Sequence, residues 1–210
     1  MGATETAGDP ADMIRAAEEI MTAALEELPV LEYAILDADE ITFEERVREI
    51  CRQECPRYNS TWSCPPAVGT LGECRRRCRR YEHCLVFSTV AEVQDITNLE
   101  ETLATRMDHE EVTRQLSVRF EERFGPVLTL STESCDICSH CSWPEGPCRH
   151  PDRMFPCVES HGILVTDLAE RGGMTFQNGA NVVTWFSVIF FKQRDAAPDG
   201  CGPDGGLDCE

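Results

Sequence analysis

Between Cys135 and Pro151 the chain reads C-D-I-C-S-H-C-S-W-P-E-G-P-C-R-H-P. Four soft sulfur donors in so short a loop can close around one metal centre at little entropic cost, so this loop is expected to wrap a metal rather than join a core. The spacing is C-x2-C-x2-C-x6-C. Its first three cysteines match the ferredoxin-type run that wraps an iron–sulfur cube, although the fourth lies six residues on rather than three. The pattern predicts a [4Fe–4S] cluster held by Cys135, Cys138, Cys141 and Cys148. Zinc is the competing reading, since four thiolates also make a tetrahedral zinc site; structural zinc sites, however, usually present two separated C-x2-C knuckles.

Thirteen cysteines are present in 210 residues. An odd count and tight grouping suit metal binding better than a secreted disulfide framework, in a chain large enough to build a core without staples. No basic segment precedes an apolar leader and no apolar run approaches the roughly 20 residues that span a bilayer, so a cytoplasmic protein is expected. Met1-Gly2-Ala3-Thr4-Glu5-Thr6 formally fits a myristoylation signal. The neighbouring acidic residues supply no second membrane signal, so no membrane partner is expected. The formal net charge is −19, a surface that repels phosphate backbones and argues against a nucleic-acid partner.

Length favours a single domain. Met13, Ala17, Ile20, Met21, Ala24 and Leu28 recur at helical spacing behind Asp9-Pro10, an N-cap and first-turn pair, and predict a long opening helix. Apolar stretches at 31–41, 85–93 and 182–191 read as strands. The last is apolar on both faces and is expected to be central. Thr42 with Glu45 predicts a helix ending near Cys51, and Asn98 with Glu101 predicts another. Asp108 with Glu111 predicts a break near residue 108, and Gly125-Pro126 a stop. A third apolar segment, 127–130, delivers the chain to Cys135. The expected fold is α+β: one domain over residues 10–192 with a mainly antiparallel sheet covered by helices, two cysteine-rich metal loops at one end, and disordered tails at 1–9 and 193–210. Cys201 and Cys209 fall in the second tail and are left out of the sites.

A second cysteine group opens with Cys51-x3-Cys55-Pro56-x-Tyr58 and continues to Trp62-Ser63-Cys64-Pro65-Pro66. Together with the later C-x2-C-x2-C and the C-R-H-P, in the same order and separation from about residue 30 to 192, these motifs resemble the DUF2284 family of predicted metal-binding proteins. The resemblance implies a metal protein of strict anaerobes and methanogens, a setting that suits oxygen-sensitive iron–sulfur biology. It also implies a serine where this chain has Cys157, which is therefore expected to be a small buried side chain. Cys51, Cys55 and Cys64 are the natural ligands of a first site. A cube held by protein alone needs a fourth thiolate, and Cys74 and Cys78 lie one helical turn apart so that either can face inward. The resemblance places a cysteine at the Cys74 position more often, and Cys74 is the expected fourth ligand.

Tyr58, Trp62, Arg149 and His150 lie in the two cysteine loops and are expected to shield the clusters or donate hydrogen bonds to sulfur. Arginines 75, 76, 77, 79 and 80 form one basic patch on an acidic chain, either a solvated helix face or a docking point for an acidic electron carrier. No G-x-G-x-x-G, P-loop or G-x-S-x-G occurs, so nucleotide-driven and serine-hydrolase chemistry lack a motif. Three functions follow. The first is a two-cluster protein passing electrons at low potential to a redox protein, an anaerobic redox enzyme or a maturation system. The second is an iron–sulfur enzyme whose open iron binds and reduces a small substrate. The third is a zinc-stapled interaction module.

Overall fold

The computed structural model describes residues 10–194. Asp9 and nearly all of the two expected tails, including Cys201 and Cys209, lie outside those residues. The described elements run α1 (Pro10–Glu27), β1 (Glu32–Asp37), α2 (Glu45–Glu54), α3 (Leu71–Cys78), β2 (His83–Glu92), α4 (Leu99–Ala104), α5 (Arg106–Phe124), β3 (Leu128–Leu130), α6 (Val165–Arg171) and β4 (Val182–Phe191), with 3-10 turns at Ala38–Glu40 and Glu159–His161. The strands form one sheet in the order β1-β2-β4-β3, every pair antiparallel. The fold is α+β. Among the described residues no helix is long and apolar enough to cross a membrane.

β2 and β4 pair along their full ten residues, from His83 opposite Phe191 to Glu92 opposite Val182. Because side chains alternate across a strand, Leu85, Phe87, Ile189 and Phe191 pack under α1 and α5, while Cys84, Val86, Val188 and Phe190 face Ile41, Ile163 and Leu168 on the other side. Coverage of both faces explains why β4 is apolar at nearly every position. Phe120, Phe124 and Phe191 meet at ring separations of 4.7–5.5 Å, and each such buried ring contributes about 1.5–3 kcal/mol.

Two helix boundaries differ from the sequence pattern, each for a tertiary reason. α2 begins at Glu45 without a side-chain cap from Thr42. The Glu44 amide donates instead to the Gly162 carbonyl at 2.7 Å, holding the chain extended until that point. Gly162 has φ +76°, and a Cβ there would sit 2.3 Å from Leu71 Cδ1, so only glycine permits the approach. The break expected near residue 108 falls at Thr105, between α4 and α5. Trp185 on β4 donates to Thr105 Oγ1 at 2.9 Å, which ties the kink to the sheet. α3 starts with a capping box of Thr70 and Glu73, a local cap rather than a tertiary one. β1 is also shorter than 31–41: Arg79 donates to the carbonyls of Ala38 at 2.8 Å and Ile41 at 3.2 Å, drawing the chain off the sheet. The expected helix start at Asn98 is present, its side chain accepting from the Glu101 amide.

His109 on α5 is 1% exposed and lies between Thr89 Oγ1 and Ser187 Oγ, each at 2.8 Å. Burial pushes its pKa down from 6.5 to about 3, so the folded protein holds it neutral. Below pH 6.5 the unfolded chain binds a proton that the folded one refuses, so this contribution is complete above about pH 6.5 and is lost as pH falls towards 3. The slope is expected to reach roughly 1.4 kcal/mol per pH unit. Urea denaturation of wild type and His109→Gln from pH 7.5 to 4 checks it: the variant should be less stable at pH 7 yet lose stability less steeply on acidification, and parallel curves would remove His109 from the account.

Candidate metal centres

The two cysteine groups fold against each other through a short segment, 59–64, that both share. Cys51 lies in the last turn of α2 and Cys55 caps its C-terminus. The chain then turns through Tyr58, whose amide donates to the Cys55 carbonyl at 3.1 Å, and reaches Cys64. Ser63, fully buried, joins the groups. Its carbonyl accepts from the Cys157 amide at 3.2 Å, and its hydroxyl accepts from the Cys135 amide at 2.8 Å. Trp62 Nε1 donates to the Gly146 carbonyl at 3.1 Å, and Trp143 Nε1 donates to Asn59 Oδ1 at 2.9 Å. The two indoles meet edge to face at 4.7 Å. Both cysteine loops are thereby gathered together.

Two cavities result. One, of about 280 Å³, is lined by Cys51, Cys55, Cys64 and Cys157 together with Tyr58, Glu133, Glu159 and the apolar Val47, Ile50 and Leu164. The other is small, about 20 Å³, and its wall holds Cys135, Cys138, Cys141 and Cys148 with Trp62, Arg149 and His150. All four cysteines predicted for the second site therefore share one wall. Tyr58 stands at the first cavity, and Trp62, Arg149 and His150 stand at the second. Ser134 lines the first and Cys135 the second, so a single peptide link, about 3.8 Å between Cα atoms, separates the walls. All described cysteines are free thiols. Among the described residues no three His, Cys, Asp or Glu side chains sit close enough to hold a single ion.

Cys74 and Cys78 are in a different place. Both are fully buried on α3 and neither lines the first cavity. The Cys74 thiol donates to the Val68 carbonyl at 3.5 Å and accepts from Arg48 Nη1 at 3.8 Å. Cys78 packs with Cys84 and Val86 in the core. The arginine patch also divides. Arg77 donates to the Val68 carbonyl at 3.1 Å and meets His161 Nε2 at 3.0 Å, and Arg79 ties down residues 38–41, so these two are structural. Arg75, Arg76 and Arg80 are exposed.

Burial raises the thiol pKa values of Cys51 and Cys64 on the first wall and of Cys135 on the second. Cys51 is pushed up to about 11, by burial first and then by Cys55 and Glu159. Cys64 and Cys135 move the same way, chiefly through burial. Those three thiols are thus neutral in the metal-free protein, and a metal must displace their protons to bind there. Cys157 and Ser63 were not legible as residues of the cavities: Cys157 has no motif spacing to the other cysteines, and Ser63 is one unremarkable serine between Trp62 and Cys64. Arg106 was missed too. It is buried at the start of α5 and donates to the Ser134 carbonyl at 2.6 Å and to Asp136 at 3.1 Å, fixing the entry to the second loop.

A scan against protein families matches residues 34–191 to DUF2284, described as a predicted metal-binding protein. The chain belongs to the DUF2284 family. No curated protein and no solved structure matches it. Family membership makes this a metal-binding protein in the generic sense, and the two cysteine-lined cavities are where the chain offers donors.

Ser63 is the residue whose removal should be felt at both cavities. Ser63→Ala leaves the half-buried Cys135 amide without its acceptor and is expected to cost about 1 kcal/mol. Chemical denaturation of the purified full chain measures this, and a stability unchanged from wild type would mean that the two loops are joined by other contacts.

Proposed function

We propose that this DUF2284 protein binds two [4Fe–4S] clusters and passes electrons through them. The observation that carries the reading is the gathering of four cysteines on each of two adjacent cavity walls, one of them built from the ferredoxin-type run at Cys135, Cys138 and Cys141. The donor set fits the group: soft thiols, partly or fully buried, with aromatic neighbours that exclude water. Bound there, the clusters supply reversible one-electron storage. The chain's own residues do the rest. Cys135, Cys138, Cys141 and Cys148 hold the second centre, and Cys51, Cys55 and Cys64 present three thiols to the first. Trp62 and Tyr58 keep solvent off each wall. Arg149 and His150 bring hydrogen-bond donors to the second, where donors near sulfur raise a cluster's potential.

Two clusters of the resting charge would bring the chain to about −23, since each four-thiolate site adds about two negative charges. On so acidic a surface the exposed Arg75, Arg76 and Arg80 are the natural landing point for an acidic redox protein or enzyme, the expected partner. α3, which carries Arg75 and Arg76 and ends two residues before Arg80, packs on the 159–161 turn that helps to wall the first cavity. A maturation system or anaerobic redox enzyme in an oxygen-poor cytoplasm is the setting this reading implies. Nucleic acid and membrane are not partners in it.

A second reading is favoured by one observation. The first cavity has about 280 Å³ of space beside its cysteines and an apolar lining of Val47, Ile50 and Leu164, room for a small substrate at an iron left open by the protein. In that case the protein is an enzyme.

Metal analysis after anaerobic purification decides the first question: iron with acid-labile sulfide is expected, and zinc alone would replace the reading with a zinc-stapled interaction module. Cys148→Ser should then lower bound iron by about half, because thiolate ligation holds the cluster; undiminished iron would discard that ligand. An electron paramagnetic resonance signal that shifts on adding cyanide would turn the carrier into the open-site enzyme.

A further inference from the structure

The fourth thiol of the first cavity comes from a part of the chain that neither cysteine motif includes. Cys157 lies on the same wall as Cys51, Cys55 and Cys64. Its position is set by backbone on both sides. The Cys157 amide donates to the Ser63 carbonyl at 3.2 Å, placing it beside Cys64, and residue 157 forms a parallel bridge with Ser131. The flanking bonds, Ser131 N–H to the Pro156 carbonyl and Val158 N–H to the Ser131 carbonyl, are each 2.9 Å. Its thiol donates to Glu159 Oε2 at 2.7 Å, and Glu159 lines the same cavity.

Cys74, the alternative, is held away from that wall. Its thiol faces the Val68 carbonyl and Arg48, and Arg48 is itself committed to the carbonyls of Ser160 and Gly69, both at 2.9 Å. The capping box of Thr70 and Glu73 and the bond from Arg77 to Val68 fix the rotation of α3. Turning Cys74 into the cavity would break these together.

We propose that Cys157 is the fourth protein ligand of the first metal centre, and that Cys74 is a structural thiol. This rests on the reading that the first cavity holds a thiolate-bound centre. On binding, the sulfur–hydrogen bond of Cys157 is replaced by a sulfur–metal bond and the proton leaves to solvent, with no change of oxidation state at sulfur. Four thiolates then saturate the centre, which leaves electron exchange rather than substrate binding as its use.

The test compares Cys157→Ala and Cys74→Ala in the full chain, purified anaerobically, with metal and sulfide per chain and the electron paramagnetic resonance spectrum as readouts. Cys157→Ala is expected to lose up to half of the bound metal, or to keep a first-site signal altered from wild type, while Cys74→Ala keeps wild-type content and spectrum. Metal retained at the second site shows that the variant is folded. Should Cys157→Ala fail to fold, Cys157→Ser, which exchanges one atom, carries the same comparison. Wild-type metal content and an unchanged spectrum in the Cys157 variant overturn the assignment, as does loss of the first-site metal in Cys74→Ala alone. The wild-type metal's identity, iron with sulfide or zinc, tests the cluster reading separately, because the pattern of loss is counted in whichever metal is bound.

Discussion

The antiparallel ladder between β2 and β4 is the constraint from which the rest of the molecule follows. Ten residues of each strand are paired and both faces are apolar, so the pair cannot exist without a cover on each side. α1 and α5 supply one cover. The other is built from α6, from Cys78 of α3 and from residues around Ile41, Val158 and Ile163, which belong to the stretches that border the cysteine loops. Closing the second face of the sheet therefore also brings the two metal loops to the same place. The hydrophobic core and the candidate metal centres share one packing problem.

Within that frame, very few polar contacts position the donors. Ser63 uses its carbonyl for Cys157 and its hydroxyl for Cys135, and the paired indoles of Trp62 and Trp143 stitch each loop to the other. Arg106 holds the first residues of the second loop from beneath. A buried cation that is hydrogen-bonded to a carbonyl and a carboxylate is stable only while both partners stay.

Much of the fold was legible because the pattern reports burial directly. A run as apolar as 182–191, broken only by Thr184 and Ser187, can only be a strand covered on both sides or a buried helix, and its β-branched and aromatic content decides for the strand. The helix starts that failed, at Thr42 and near Asp108, failed for one shared reason: distant groups, the Gly162 carbonyl and the Trp185 indole, claimed the backbone at those points. Local capping rules contain no term for such partners. The cysteine groups were equally uneven. Cys135, Cys138, Cys141 and Cys148 gather within one loop, so their spacing carries the geometry. The first cavity is assembled from α2, a turn and a segment about a hundred residues later in the chain, and spacing says nothing about a cysteine brought in by the sheet. Cys74 is close in sequence to Cys64 and stands where the resemblance places a cysteine, whereas Cys157 lines the cavity.

From Ser131 to Val158 the chain has no helix and no strand beyond a single bridge. Ordered loops of this length are uncommon in compact domains and usually serve a site. Fixing each residue's backbone costs on the order of 1–2 kcal/mol, and the loop buries little apolar surface to offset it, since His140, Pro144, Glu145, Pro147 and Arg149 are exposed. Side-chain bonds from Trp62, Trp143 and Arg106 offset part of that cost. A metal bound by Cys135, Cys138, Cys141 and Cys148 would cross-link the loop at four points, and its binding free energy would then be folding free energy for this half of the protein. Cys135, whose thiol burial holds neutral without a metal, would trade its proton for one of those cross-links. On this view the core of the sheet positions the cysteines, and the metal in turn orders the segment that carries them.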